Sequence, residues 1–186
     1  MADNWTFRGR TWVFGDDINT DYMMPGFTPA GATWEERAKY CMRANRPGWS
    51  EQVRKGDLLI AGRNFGTGSN RPAARVLKVV GIACIASEDI NSLMFRNCVN
   101  WGLPAIACTG VSKLFTEGDI GEINLKEGII LNTRTEEKLH APKIPDMLLN
   151  IMGAGGVIPL LQNEGYIRPS KEELPKTVMT AEQAGE

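Results

Sequence analysis

Short apolar runs separated by glycines and polar turns dominate the hydrophobic pattern of the chain. Three continuous apolar runs have the length of buried strands: Leu58–Gly62, Ile82–Ala86 and Leu103–Cys108. The glycine-rich loop Asn64–Arg71 follows the first run, and residues 73–79 and 89–98 have the composition of helices. Pro72 precedes the first helix, where a missing N–H group costs nothing. This alternation predicts a parallel α/β sheet.

The flanking segments predict additional elements. Residues 6–14 alternate loosely and predict a first strand. Thr33 and Glu36 predict a capping box for a helix that runs to about Asn45. After Gly110 the pattern is that of short antiparallel strands followed by a last helix, in the segments 119–125, 128–132, 134–140 and Pro145–Met152.

This arrangement predicts one domain over residues 1–168. Its expected class is α/β, with a mainly parallel sheet, helices and a smaller antiparallel β portion. Residues 169–186 are rich in Lys, Glu, Pro and Ala, so we expect a mobile C-terminal tail there.

Composition and charge exclude several classes of function. The chain has 186 residues, 42% of them hydrophobic and 23% charged, with a formal net charge of −1. This charge favours neither nucleic acid nor an anionic membrane as a partner. The apolar runs are too short to span a bilayer, and the N-terminus has no signal-peptide pattern, so we expect a cytoplasmic protein.

The cysteines and the histidine do not predict a metal site. The spacing of Cys41, Cys84, Cys98 and Cys108 matches neither a zinc nor an iron–sulfur pattern. Cys84 and Cys108 lie within apolar runs and are predicted to be small core residues. His140, the only histidine, stands in a polar segment. We therefore expect any metal in the functional assembly to be bound by a partner.

The glycine-rich loop carries the most distinctive chemistry. Gly66 and Gly68 let the backbone turn tightly and bring its N–H groups close to a ligand. The helix that follows has a partly positive N-terminus, which favours anions. Ser69 supplies a hydroxyl, Asn70 neutral donors, and Arg71 a planar fork that holds a carboxylate. The loop is therefore a candidate anion site that contains one hydroxyl.

Local features leave the interpretation of this loop open. A dinucleotide site needs a third glycine where Arg71 stands, and a phosphate-binding P-loop motif is absent. A nucleophilic serine needs a base, and His140 is in an unpromising context. A glycine turn that merely caps a helix is as good an interpretation as an anion site.

A longer set of motifs carries a family resemblance. These motifs occur in family order at Gly15–Asp21, Pro25, Asn64–Arg71, Phe95–Asn97 and Gly102–Pro104. Together they resemble the small subunit of 3-isopropylmalate dehydratase, in a family that includes the small subunit of homoaconitase and the C-terminal domain of aconitase. The likeness runs from about Phe7 to Gly156.

The resemblance implies a swivelling β/β/α domain of an aconitase-type hydro-lyase that acts on a malate-type hydroxy acid. It implies that this chain binds no cofactor and that a large partner subunit carries a [4Fe–4S] cluster. By position, Ser69 is the catalytic base and Asp21 a further catalytic residue. The substrate-binding residues implied are Asn70, Arg71, Gly68, Thr67 and Thr28.

Some residues depart from the family pattern. Thr67 replaces a cysteine and Asn70 a serine, while Glu88 and Asp89 replace a Ser-Phe pair that follows a lysine. The two carboxylates are expected to change the local charge, and the substrate stays open. Two alternatives also remain, namely a non-catalytic paralogue that stabilises the large subunit and a free-standing module that binds small acids.

Overall fold

A computed structural model describes residues 5–28 and 31–168, so the predicted tail at 169–186 lies outside the described residues. The strands are β1 (Thr6–Val13), β2 (Asp57–Ala61), β3 (Ile82–Ser87), β4 (Ala105–Ala107), β5 (Ile120–Asn124), β6 (Ile129–Asn132) and β7 (Lys138–His140). The helices are α1 (Thr20–Met23), α2 (Trp34–Ala38), α3 (Trp49–Gln52), α4 (Ala73–Val80), α5 (Ser92–Trp101), α6 (Val111–Leu114), α7 (Asp146–Gly153) and α8 (Val157–Asn163).

The described strands form one mixed sheet in the order β4-β3-β2-β1-β5-β6-β7. Strands β1 to β4 pair in parallel, and β5 to β7 continue the sheet in antiparallel fashion. β1 joins the two parts, because Thr6–Arg10 pairs with β5 while Thr11–Val13 pairs with β2. The predicted α/β class, with a parallel sheet and a smaller antiparallel portion, is confirmed.

The centre of the sheet is covered on both faces. On β2, Leu59 and Ala61 pack into a core with Trp12 and Trp49. Leu58 and Ile60 point to the other face and pack into a second core. Every residue of β2 is buried, as expected for a parallel strand between two layers. This burial explains why the strand appears in the sequence as a continuous apolar run.

Helix α2 begins where it was predicted to begin, but it is shorter than predicted. The Thr33 side chain accepts from the Glu36 N–H, and the Glu36 side chain accepts in return, which confirms the capping box. The helix ends at Ala38 rather than near Asn45. Met42 has a positive φ of 59°, and its N–H donates to Tyr22 O at 2.7 Å. This tertiary hydrogen bond holds the segment in turns instead of a continued helix.

The predicted last helix is confirmed as α7, but the expectation that it ends the fold is wrong, since α8 follows. Gly155 and Gly156 have φ values of 94° and 126° and redirect the chain between the two helices. A Cβ on Gly156 would lie 2.2 Å from Asn100 O, so only glycine permits this approach. Pro159 lies in the first turn of α8, where its missing N–H is tolerated.

Candidate active site

Two loops meet at one edge of the sheet. The segment after β1 leads to α1, and the glycine-rich loop follows β2. Because β1 and β2 are parallel neighbours, their carboxyl ends lie side by side, the usual location of ligand sites in α/β sheets. Backbone hydrogen bonds join the loops, from Thr20 N to Thr67 O at 2.9 Å and from Gly66 N to Ile18 O at 2.8 Å.

Glycine at position 68 permits the close contact of the two loops. Gly68 has a φ of 99°, which side-chain-bearing residues rarely adopt. A Cβ there would lie 2.4 Å from the Asn19 Oδ1 atom. Asn19 is also the N-cap of α1, and its Oδ1 accepts from the Asp21 N–H at 2.8 Å. The same contact therefore fixes both the glycine-rich loop and Asp21.

Three predicted residues form one hydrogen-bonded group, named here the Asp21–Ser69–Arg71 triad. The Ser69 hydroxyl donates to Asp21 Oδ1 at 3.2 Å, and Arg71 Nε donates to Ser69 Oγ at 3.1 Å. Arg71 Nε also donates to Asp21 Oδ1 and forms an ion pair with it. The Asp21 and Arg71 side chains keep 53% and 34% of their surface exposed, so the triad is open to a ligand.

The ion pair uses only part of the Arg71 guanidinium. Its Nη1 and Nη2 atoms have no acceptor among the described residues and lie beside Gly26. A Cβ on Gly26 would lie 3.2 Å from Nη2. The outer fork of the guanidinium therefore remains available for two parallel hydrogen bonds to a carboxylate.

The first two N–H groups of α4 are already bonded within the chain, so they are not free to donate to an anion. Ala73 N donates to Arg71 O at 2.7 Å, and Ala74 N donates to the Asn97 Oδ1 atom at 3.0 Å. In the loop, the N–H groups of Gly68, Ser69 and Asn70 have no acceptor within the described part of the chain. The free donors therefore lie in the glycine-rich loop itself.

The other predicted substrate-binding residues make no hydrogen bond to the triad through their side chains. Asn70 is exposed and lines the cleft beside Ser69. Thr67 holds the loop through its carbonyl group. The Thr28 hydroxyl donates to Pro25 O, within its own turn. Substrate contacts for these three residues stay predictions.

The two carboxylates that depart from the family pattern have structural partners. Glu88 accepts from Gly110 N at 2.6 Å and from Ser112 N at 2.9 Å, at the start of α6. Burial raises the pKa of Glu88, but the hydrogen bonds from Ser112 and Gly110 outweigh it and hold the pKa below its usual value. Asp89 accepts from Asn64 N at 2.9 Å, at the beginning of the glycine-rich loop.

Several residues around the triad have structural roles that the sequence did not predict. The Thr20 hydroxyl donates to Ser69 O at 2.8 Å and fixes the backbone of the serine. Leu93, Met94 and Asn97 of α5 also line the cleft. Thr20 and Asn97 belong to the motifs that carry the family resemblance, and this membership was the one sequence feature that could have indicated their roles.

The cysteines of this chain do not fit an iron–sulfur cluster. All four are buried free thiols, which confirms the prediction for Cys84 and Cys108. Burial raises the pKa of Cys98 to about 12, whereas cluster ligands are thiolates. Within residues 5–28 and 31–168, no group of three His, Cys, Asp or Glu side chains is arranged to hold a metal ion.

Other parts of the described chain lie away from the triad. His140 is on β7, which β1, β5 and β6 separate from β2, so it offers no base to Ser69. A cavity of about 940 Å³ lies at the opposite end of the parallel strands. Its lining includes Ile82, the first residue of β3, and Pro104, the residue before β4. It contains none of the predicted site residues. None of the described helices has the length and apolarity needed to cross a bilayer.

Known proteins with similar sequences identify the family of this chain. No protein-family model matches the sequence. The chain is 44% identical to 3-isopropylmalate dehydratase small subunit 1 of Methanopyrus kandleri, over 85% of this chain and 94% of that one. It is 38% identical to the isopropylmalate/citramalate isomerase small subunit of Methanocaldococcus jannaschii, over 84% and 94%.

A solved structure agrees with these sequence relatives. The crystal structure of a 3-isopropylmalate dehydratase from Methanocaldococcus jannaschii superimposes with a TM-score of 0.79 at 30% identity, covering 86% of this chain and 95% of that one. The fold and these relatives define a small hydro-lyase subunit. The chain belongs to the family of 3-isopropylmalate dehydratase small subunits.

Proposed function

We propose that this chain supplies the proton-abstracting serine and the carboxylate-binding arginine of a two-subunit dehydratase for malate-type hydroxy acids. The observation that carries the proposal is the Asp21–Ser69–Arg71 triad, in which a hydroxyl lies between a carboxylate and a guanidinium. In this proposal Ser69 removes the carbon-bound proton of the substrate as water is eliminated.

A serine hydroxyl is a weak base, so its surroundings must stabilise the alkoxide. The Ser69 proton faces Asp21 Oδ1, which is the acceptor to which it moves when Oγ becomes the base. Arg71 Nε donates to Oγ and stabilises the negative charge that develops there. Because Arg71 also pairs with Asp21, the three side chains keep one arrangement before substrate binds.

Substrate binding uses the remaining donors. The Nη1 and Nη2 atoms of Arg71 form a fork for one carboxylate group. The N–H groups of Gly68, Ser69 and Asn70 supply further donors from the loop. Leu93, which lines the cleft and is exposed, provides an apolar surface for an alkyl substituent, as found in isopropylmalate.

The partner is proposed to be a large subunit that carries the [4Fe–4S] cluster. The name of the relatives, small subunit, supports a second chain, and the buried thiols described here support a cluster located elsewhere. When bound on that partner, the cluster supplies a Lewis acid for the hydroxyl group of the substrate. Cytoplasmic location and a place in leucine biosynthesis belong to the same proposal.

Reconstitution with the large subunit tests the proposal. Isopropylmalate, citramalate, homocitrate and dimethylmalate are offered to the assembled pair, and enoate formation is followed by its absorbance. The names of the relatives favour isopropylmalate and citramalate as substrates. A pair that assembles but dehydrates none of the four acids would support a non-catalytic paralogue. Tight acid binding by this chain without a partner would support a free-standing module.

A further inference from the structure

Asn97 on α5 lines the cleft beside the triad. Only 9% of its surface is exposed, and it lines the same cleft as Ser69, Asn70 and Arg71. Polar side chains this deeply buried normally have hydrogen-bond partners for each polar atom. Both the oxygen and the nitrogen of the Asn97 amide are therefore expected to have a partner.

One end of the Asn97 amide has a structural role. Ala74 N donates to Oδ1 at 3.0 Å, near the start of α4. Pro72, the N-cap residue of α4, makes no side-chain capping bond, so Asn97 caps this helix from the neighbouring one. Since a backbone N–H group donates only to an acceptor, this bond also fixes which end of the amide is oxygen.

The other end of the amide has no partner. Nδ2 makes no hydrogen bond to any residue in the described ranges. Among the described side chains, the fully buried polar atoms without a partner are Arg10 Nε and Trp49 Nε1. Nδ2 is not one of them, so this unpartnered atom keeps some exposed surface. Nδ2 is therefore a donor with a fixed position, on a side chain that lines the same cleft as Ser69.

We infer that Asn97 is a substrate-binding residue whose Nδ2 donates to a carboxylate oxygen of the hydroxy acid. The inference rests on the proposed function, since it assigns one more contact to the same substrate. The unused donors of Arg71 and the loop make the cleft selective for anionic oxygen, and a neutral amide donor suits the second oxygen of such a group. The bond to Ala74 holds the donor rigidly before substrate arrives.

The substitution Asn97→Asp separates binding from capping. An aspartate keeps an oxygen for Ala74 N and places negative charge at the helix N-terminus, where it is favourable. It replaces the Nδ2 donor with an oxygen that repels a carboxylate. We expect the Kd and KM for isopropylmalate in the assembled pair to rise about tenfold or more, while the melting temperature is retained.

Asn91→Asp is the matched control. The Asn91 side chain caps α5 by accepting from Leu93 N at 3.0 Å, so an aspartate there also keeps its capping bond. This variant adds the same charge to the same helix without removing a donor from the cleft. We expect its Kd and KM to stay within about twofold of the wild type. Asn97→Ser, which removes the amide without adding charge, should raise both constants in the same direction as Asn97→Asp.

Two measurements keep the inference distinct from the proposed function. Binding to the assembled pair is measured by calorimetry, and turnover is measured by enoate absorbance. A wild-type pair that binds the acid without dehydrating it contradicts the proposed function, and the Kd values still decide the role of Asn97. The inference is overturned if Asn97→Asp binds as tightly as Asn91→Asp, or if the wild-type pair binds no hydroxy acid.

Discussion

At the residue scale, we propose two separate tasks for the two ends of the Arg71 guanidinium. Its Nε atom contacts Ser69 and Asp21 within the chain, whereas Nη1 and Nη2 remain for a ligand. The same side chain therefore links the proposed base to the proposed carboxylate site. A change at Arg71 is expected to alter both chemistry and binding.

Arg71→Lys keeps the charge but loses both the Nε contact and the outer fork. We expect KM to rise about tenfold or more and kcat to fall as well, measured in the assembled pair. Arg63→Lys is the matched control, because Arg63 forms an ion pair with Asp16 and keeps 76% of its side chain exposed. An unchanged KM in Arg71→Lys would rule out the carboxylate-binding role.

At the element scale, the position of the proposed base depends on how tightly two loops pack. Gly68 combines a left-handed φ with contact against Asn19, and Asn19 caps α1 just before Asp21. Close contact thus holds the glycine-rich loop against the start of α1. A change in the loop that displaces α1 is expected to separate Ser69 from Asp21.

Gly68→Ala is expected to lower kcat/KM at least about tenfold, because its Cβ would meet Asn19 and open the triad. Gly118→Ala is the control. Gly118 has a φ of 90° but nothing within 4 Å of its would-be Cβ, so it carries the backbone strain without the clash. Equal activity in the two variants would show that the contact with Asn19 does not position the site.

The sequence predicted elements best where local rules and tertiary packing agree. The apolar runs of β2 and β3 and the capping box at Thr33 needed no distant contact to be recognised. The early end of α2 depends on the bond from Met42 to Tyr22, which a local pattern does not contain. For the same reason the trans cap from Asn97 to α4 could not be predicted, and the helix end seemed free to bind an anion.

In the candidate site too, the residues could be predicted from the sequence, whereas their distant contacts could not. Family motifs brought together Ser69, Arg71 and Asp21, and the structure places all three within hydrogen-bond distance. Their shared geometry depends on the parallel pairing of β1 with β2, which joins loops that are far apart along the chain. The effect of Glu88 on the site could not be judged from sequence, because its partners Gly110 and Ser112 lie beyond the next helix.

At the scale of the whole molecule, Asp57 secures the junction between the parallel and antiparallel parts of the sheet. The side chain is buried at the start of β2 and accepts from Arg10, from the Trp12 indole and from Arg54 N. Burial raises its pKa, but these donors, with Arg10 foremost, outweigh it and hold the pKa below its usual value. The charged form therefore stabilises the fold.

Asp57→Asn is expected to flatten the acid dependence of the unfolding free energy. Because the folded pKa is lowered, this contribution is complete above the unfolded pKa of about 3.9 and is lost as pH falls through the folded value. Chemical denaturation between about pH 2 and 6 measures the slope. Glu51→Gln is the control, since Glu51 is exposed and makes no ion pair with a described residue. Identical slopes in wild type and Asp57→Asn would show that the Asp57 carboxylate does not stabilise the fold.

The rate of enoate formation by Ser69→Ala, in a pair reconstituted with the large subunit, decides whether Ser69 is the base. Ser69 is exposed at the edge of the sheet, so its replacement should leave folding and assembly intact, as checked by melting temperature and gel filtration. Loss of the base is expected to lower kcat about a hundredfold or more, with substrate binding largely retained. Turnover within a few-fold of the wild type would show that Ser69 is not the base.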